Sequence, residues 1–191
     1  MKTKFILHGG YTREQNELNE GFFRELVASI PDKGTVLLVY FASDDDIDKF
    51  EDDKKRISSF LENNEVSFIR ATKEDFIDQV KNADVIYLRG GNTEKLKNQL
   101  NIYPELRESI LGKTIVGSSA GAYVLVKYYY TNSRNEVLEG FGFLPIRIIC
   151  HYHSKIHPVS ANTDPVTVIN KFDNNLELVL LRDYEWKVFV V

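Results

Sequence analysis

Thr114-Ile115-Val116-Gly117-Ser118-Ser119-Ala120-Gly121-Ala122-Tyr123-Val124-Leu125-Val126 is the stretch on which the reading of the chain turns. The β-branched run Thr114–Val116 predicts a short buried strand, and the apolar run from Ala122 to Val126 predicts a buried helix. Between them lies G-x-S-x-G, the pattern of a strand-turn-helix elbow that presents a serine nucleophile. A serine on so sharp a turn needs small neighbours, because its backbone is strained and other main chain passes close to it. The helix that follows points its first N–H groups at the same spot, where an oxyanion can be held. The plainer reading is a serine in a glycine turn before a helix.

Working outward toward the N-terminus, strands and helices alternate. Phe5-Ile6-Leu7 is a first strand that ends at His8-Gly9-Gly10. Leu18, Phe22, Leu26 and Ile30 recur every four residues on one face of a helix that stops before Pro31. Val36 to Phe41 is a continuous apolar strand, the mark of burial on both faces in a parallel sheet. Ser43-Asp44-Asp45-Asp46 starts a helix whose buried face is Ile47, Phe50, Ile57 and Phe60, its acids near the positive end of the dipole. Val66–Ile69 is a third strand, Glu74–Lys81 a short helix, and Asp84–Leu88 a fourth strand running into Arg89-Gly90-Gly91-Asn92-Thr93. Helices through Leu96 and Leu100, then from Pro104 through Leu106 and Ile110, lead to the elbow strand. This alternation predicts an α/β fold, a three-layer α/β/α doubly wound domain with a mostly parallel sheet, spanning residues 1–191. After the elbow, Lys127–Tyr130 reads as a strand, Thr131–Asn135 as a polar turn, and Ile146–Cys150 as a strand ending at His151-Tyr152-His153. Leu176–Leu181 and Lys187–Val191 flank Arg182–Trp186 as a hairpin.

Composition narrows the classes of function. The 191 residues are 43% hydrophobic and 12% aromatic, ordinary for a globular chain, and the net charge is −4 with the two signs mixed. No basic stripe suits a nucleic acid. No segment is long and apolar enough for a membrane span, and the single cysteine, Cys150, fits a reducing compartment. The expectation is a soluble cytoplasmic protein.

In an open α/β sheet, ligands bind beyond the carboxyl ends of the strands. Three loops fall there: Gly90-Gly91-Asn92, the elbow, and His151-Tyr152-His153. A hydrolase of this type needs a nucleophile, a base, an acid to orient the base, and oxyanion donors. Ser119 is the candidate nucleophile, and the base is one of the four histidines. Asp183 or Glu185 is the acid. The donors are the backbone N–H groups of Ala120 and of Gly90 or Gly91. Asn92 and Thr93 are candidate substrate-binding residues and, on the simpler reading, the cap of the next helix. His151, His153 and His157 suggest zinc, but nothing acidic lies near them in sequence to complete a site, so no metal or cofactor is called for. His8 reads as a satisfied polar group at the edge of the site, Gly9-Gly10 as a plain loop, and Tyr128–Tyr130 as sheet packing.

Four of these stretches together resemble a known family. They are Tyr87-Leu88-Arg89-Gly90-Gly91-Asn92-Thr93 with Leu96, Gly117–Ala122, Cys150-His151-Tyr152, and Leu181–Trp186. In order and spacing they are similar to the aspartyl dipeptidase (dipeptidase E) and cyanophycinase group of serine peptidases, which shares the flavodoxin-like fold of class I glutamine amidotransferases. The resemblance implies Ser119 as nucleophile, His151 as base, Asp183 as orienting acid (with Glu185 as the alternative), and an oxyanion hole from Gly90 or Gly91 with Ala120. An α/β-hydrolase would place the acid between serine and histidine, at Glu136 or Glu139. A glutamine amidotransferase would have cysteine at position 119 and glutamate at 153, where this chain has Ser119 and His153. Aspartyl-specific members carry an arginine after the histidine. Residues 158–171 contain none, which leaves Lys155, Lys171 or Arg134 as replacements. The implied activity is hydrolysis of a small peptide or related amide. The alternatives are an inactive relative that binds a small ligand or partner, and an esterase or acyltransferase using the same triad.

Overall fold

The computed structural model describes residues 2–44, 47–62, 65–160 and 163–191. The first part of the chain runs β1 (Lys4–His8), α1 (Glu17–Val27), β2 (Thr35–Val39), α2 (Ile47–Ser58), β3 (Ser67–Arg70), α3 (Phe76–Asn82), β4 (Val85–Leu88), α4 (Thr93–Leu100), α5 (Leu106–Ser109), β5 (Thr114–Ser118) and α6 (Ala120–Leu125). Then come β6 (Val126–Thr131), β7 (Glu136–Glu139), β8 (Leu144–Ile149), α7 (Pro165–Ile169), β9 (Glu177–Leu180) and β10 (Trp186–Val190).

The main sheet has six strands in the order β10-β1-β5-β4-β2-β3, all parallel except β10, which pairs antiparallel with β1. The segment β3-β2-β4-β5 follows the flavodoxin-type order, with β1 added beyond β5. Alternate residues of each strand serve the two faces. On one face Ile6, Val36, Leu38, Val85, Tyr87 and Val116 meet Phe22, Phe23 and Leu26 of α1 and Ile57 of α2. On the other, Phe5, Leu7, Leu37, Val39, Ile86, Leu88 and Ile115 meet the apolar faces of α3, α4, α5 and α6. Each such fully buried aliphatic or phenyl side chain contributes roughly 1.5–3 kcal/mol. This is the expected layered α/β architecture.

Four local expectations differ from the structure. Leu18 is half exposed, because it sits in the first turn of α1, whose inner face is set by Asn19, Phe22, Phe23 and Leu26. The last two strands are not a hairpin: β9 joins β8 in parallel, while β10 crosses to β1. A second, four-stranded sheet, β7-β6-β8-β9, is therefore present. It contributes Leu144, Ile146, Ile148 and Val179 to the core that covers the second face of the main sheet. Finally, β8 runs from Leu144 to Ile149 rather than from Ile146 to Cys150, so His151 and His153 lie beyond it, both with φ of 56°. The proposed start of α2 at Asp45-Asp46 and the side chain of Ile47 lie outside the described residues.

Candidate active site

Ser119 sits between β5 and α6 with φ 49° and ψ −108°, a conformation that L-residues rarely hold without a fold to enforce it. The enforcement is visible. Its N–H donates to the carbonyl of His8 at 2.9 Å, and its carbonyl accepts from the N–H of Tyr123 at 2.9 Å. Gly121 lets α6 approach β4 closely, since a Cβ there would lie 2.0 Å from the carbonyl oxygen of Leu88. The serine side chain is thereby pushed out at the carboxyl end of the sheet.

His151 meets it there. The Ser119 hydroxyl lies 3.0 Å from His151 Nε2, and His151 Nδ1 lies 2.7 Å from Asp183 Oδ1. An ionised carboxylate can only accept, so Nδ1 carries the hydrogen and Nε2 is left to accept the serine proton. The loop after β1 holds both partners. The His151 N–H donates to Gly9 O, the Tyr184 N–H to Gly10 O, and the Gly9 N–H to Glu185 O. Gly10 has φ +128° and presses on the imidazole: a Cβ there would lie 2.1 Å from His151 Cε1. Burial lowers the His151 pKa below its usual 6.5, against the opposing pull of Asp183.

The remaining candidates separate. Glu185 faces its own turn, its carboxylate accepting from the Arg182 N–H at 2.8 Å. The Gly90 N–H donates to Ser118 Oγ at 3.1 Å, whereas the Gly91 and Ala120 N–H groups have no protein acceptor among the described residues. Asn92 caps α4, its side-chain oxygen accepting from the Lys95 N–H at 2.9 Å. Asn92 and Thr93 also line a cavity of about 410 Å³ with Gly91, Glu94, Tyr129 and Arg134. Of the three possible stand-ins for an arginine, Arg134 reaches this cavity, paired with Glu94 at 2.5 Å and Glu136 at 3.7 Å. Lys155 and Lys171 are exposed elsewhere.

His8 is buried and closed off. Its Nδ1 accepts from the Gly10 N–H at 2.9 Å, so its Nε2–H donates to Asn19 Oδ1 at 2.8 Å. Burial lowers its pKa to about 4. His153 stacks on Tyr152, and His157 stacks on Tyr11. Among the described residues no group of three or more His, Cys, Asp or Glu side chains is arranged to hold a metal, and no helix is long and apolar enough to cross a membrane.

Sequence reasoning did not find Tyr11 or Thr12. The Tyr11 ring lies edge-on to His151 at 5.2 Å between centroids, from a backbone at φ 59°. The glycine pair before it was the available signal, because two glycines after a strand let a loop turn tightly against a neighbour.

No curated protein matches the sequence. Among solved structures, a peptidase from an acI-B1 Actinobacterium superposes with a TM-score of 0.69 at 21% identity, covering 98% of this chain and 83% of that one. A putative peptidase E protein from Listeria monocytogenes EGD-e superposes with a TM-score of 0.63 at 15% identity, covering 100% of this chain and 98% of that one. These identities speak for the fold. The model of peptidase family S51 matches residues 5–186, nearly the whole chain, and the protein therefore belongs to peptidase family S51 and is a serine peptidase.

Proposed function

We propose that residues 1–191 work as one hydrolytic domain that cleaves small peptides or related amides through Ser119, His151 and Asp183. The supporting observation is the unbroken relay of hydrogen bonds, 3.0 Å from Ser119 to His151 and 2.7 Å from His151 to Asp183. In this reading Ser119 Oγ attacks the scissile carbonyl carbon while its proton passes to His151 Nε2. Asp183 holds the imidazole in the accepting tautomer and stabilises the imidazolium that forms. The Gly91 and Ala120 N–H groups stabilise the tetrahedral oxyanion. The imidazolium then protonates the leaving amine, and water, deprotonated by His151, releases the acyl group.

The 410 Å³ cavity, bordered by Gly91, Asn92 and Thr93 but not by Ser119, His151 or Asp183, has room beside the relay for a substrate of a few residues. Arg134 is already engaged by Glu94 and Glu136, so the cavity offers charges of both signs rather than a dedicated acid pocket. The lone cysteine, buried at Cys150, supports a cytoplasmic setting.

Labelling with a fluorophosphonate probe tests the nucleophile. Wild type should be labelled and Ser119→Ala should not. Equal labelling of the two proteins would overturn the assignment, and a folded wild type that is never labelled would favour a ligand-binding role for the same cavity.

A further inference from the structure

One buried charge bonds to none of Ser119, His151 and Asp183. Arg89 lies between β4 and Gly90, and both it and its partner Asp53 on α2 are withdrawn from water. Arg89 Nε donates to Asp53 Oδ2 at 2.8 Å, and its Nη1 donates to the Tyr87 hydroxyl at 2.9 Å and to Thr12 Oγ1. The Tyr40 hydroxyl donates to the same Asp53 oxygen at 2.9 Å. Apolar residues of equal volume often serve a core as well as a buried ion pair or better, so stability alone does not account for it.

What the pair is attached to does. The main chain of Arg89 runs directly into Gly90-Gly91, a dipeptide with no side chain to fix its own conformation. The Arg89 N–H donates to Val39 O, the Gly90 N–H to Ser118 Oγ, and the Asn92 N–H to Ala42 O. Gly91 is the one residue from 89 to 92 whose N–H has no acceptor among the described residues, and the guanidinium is the side-chain anchor of that segment. The anchor is itself rigid, since Arg56 on α2 donates to the carbonyls of Thr12 at 2.5 Å and Arg13 at 2.5 Å. An oxyanion donor works only at hydrogen-bond distance from the developing charge, and an error of about 1 Å costs on the order of 100-fold in rate.

We propose that Arg89, held by Asp53, is a positioning residue that fixes the Gly91 N–H at the oxyanion site. This rests on the reading of Ser119 as nucleophile. The test is full inactivation kinetics with a fluorophosphonate, which separates kinact from KI. In that reaction Ser119 Oγ bonds to phosphorus, fluoride leaves, the serine proton passes to His151, and the phosphoryl oxygen takes the oxyanion position.

Arg89→Met should lower kinact about 10- to 100-fold, the size expected for a displaced donor. KI should stay within about threefold, and the pH at which kinact is half-maximal should not move, because His151 is untouched. Arg89→Lys keeps the charge but offers a single-point donor in place of the planar fork, so it should fall between Met and wild type. Asp53→Asn should lower kinact in the same direction.

A folded Arg89→Met protein with kinact within about twofold of wild type overturns the proposal. So does a loss carried by KI, or a moved pH limb. If Arg89→Met does not fold, Arg89→Lys and Asp53→Asn decide by the same criteria. Ser119→Ala keeps the two readings apart: labelling of that variant removes the nucleophile itself, whereas an unlabelled Ser119→Ala beside an unaffected Arg89→Met removes only the role of Arg89.

Discussion

His8 and His151 stand at the ends of two strands, both buried and both bonded at each ring nitrogen. His8 faces a backbone N–H and the neutral amide of Asn19, and burial takes its pKa down to about 4. It holds the loop after β1 and stays uncharged. His151 faces a carboxylate and a hydroxyl. Burial also lowers its pKa, but Asp183 opposes the shift and leaves a nitrogen free to take a proton. The same side chain, fully buried at His8 and slightly exposed at His151, is thus a strut in one place and, in the proposed triad, a proton acceptor in the other, and the partner on the far nitrogen accompanies the difference.

The sharpest way to break this contrast is to give His151 the kind of partner His8 has. Asp183→Asn removes the charge that steadies the imidazolium, and the labelling rate should fall by roughly 10³–10⁴-fold, as such replacements do in serine hydrolases generally. A loss below about tenfold would sink the role of Asp183. Next in size is Gly10→Ala, which puts a methyl group against His151 Cε1 in a backbone conformation that alanine resists. Displacing the ring should cost on the order of 100-fold while circular dichroism shows a folded protein. The pH profile comes third. Labelling requires neutral His151, whose pKa lies below 6.5, so the rate should be flat near neutrality and fall only as pH drops below that value. A half-maximum above pH 7 would contradict this.

His8 supplies the matching test on stability. Above pH 6.5 it is neutral in both folded and unfolded chains. As pH falls below 6.5 the unfolded chain takes up a proton that the folded one refuses until about pH 4. Across that window this group alone should remove about 3 kcal/mol of stability. Urea unfolding of His8→Gln at a series of pH values should show a shallower decline than wild type, and parallel curves would count against it. The smallest effect belongs to Glu185→Gln. It loosens a turn hydrogen bond worth roughly 0.5–1.5 kcal/mol and should leave the labelling rate within about twofold.

The layered architecture was legible because β2 and β4 are apolar along their length and α1 is amphipathic at helical spacing. Pairing partners were not. Whether β9 folds back on β10 or joins β8 depends on which neighbour its faces meet, and nothing in Leu176–Val191 encodes that locally. The edge strand β7, half polar and four residues long, left no apolar pattern to read. At the site, Ser119, His151 and Asp183 stand out because their residue types and flanking motifs are uncommon in combination, and they meet in space. Arg89 and Thr12 carry no such flag. Their bond joins residues 77 positions apart, and a charge inside a glycine-rich motif reads as solvated until its partner is seen.

The crossing from β9 to β10 has a consequence for the life of the protein. Asp183 lies on the span between the two sheets, and the far end of that span is fixed when Trp186–Val190 pairs with Lys4–His8. At about 5–20 residues per second, β1 therefore waits roughly 10–40 s on the ribosome for its last neighbour. Late in that interval Ser119 and His151 are already made, but Asp183, the carboxylate of the proposed triad, has no seat. On the proposed triad, a growing chain of this peptidase is held harmless by its own strand order until β10 docks on β1.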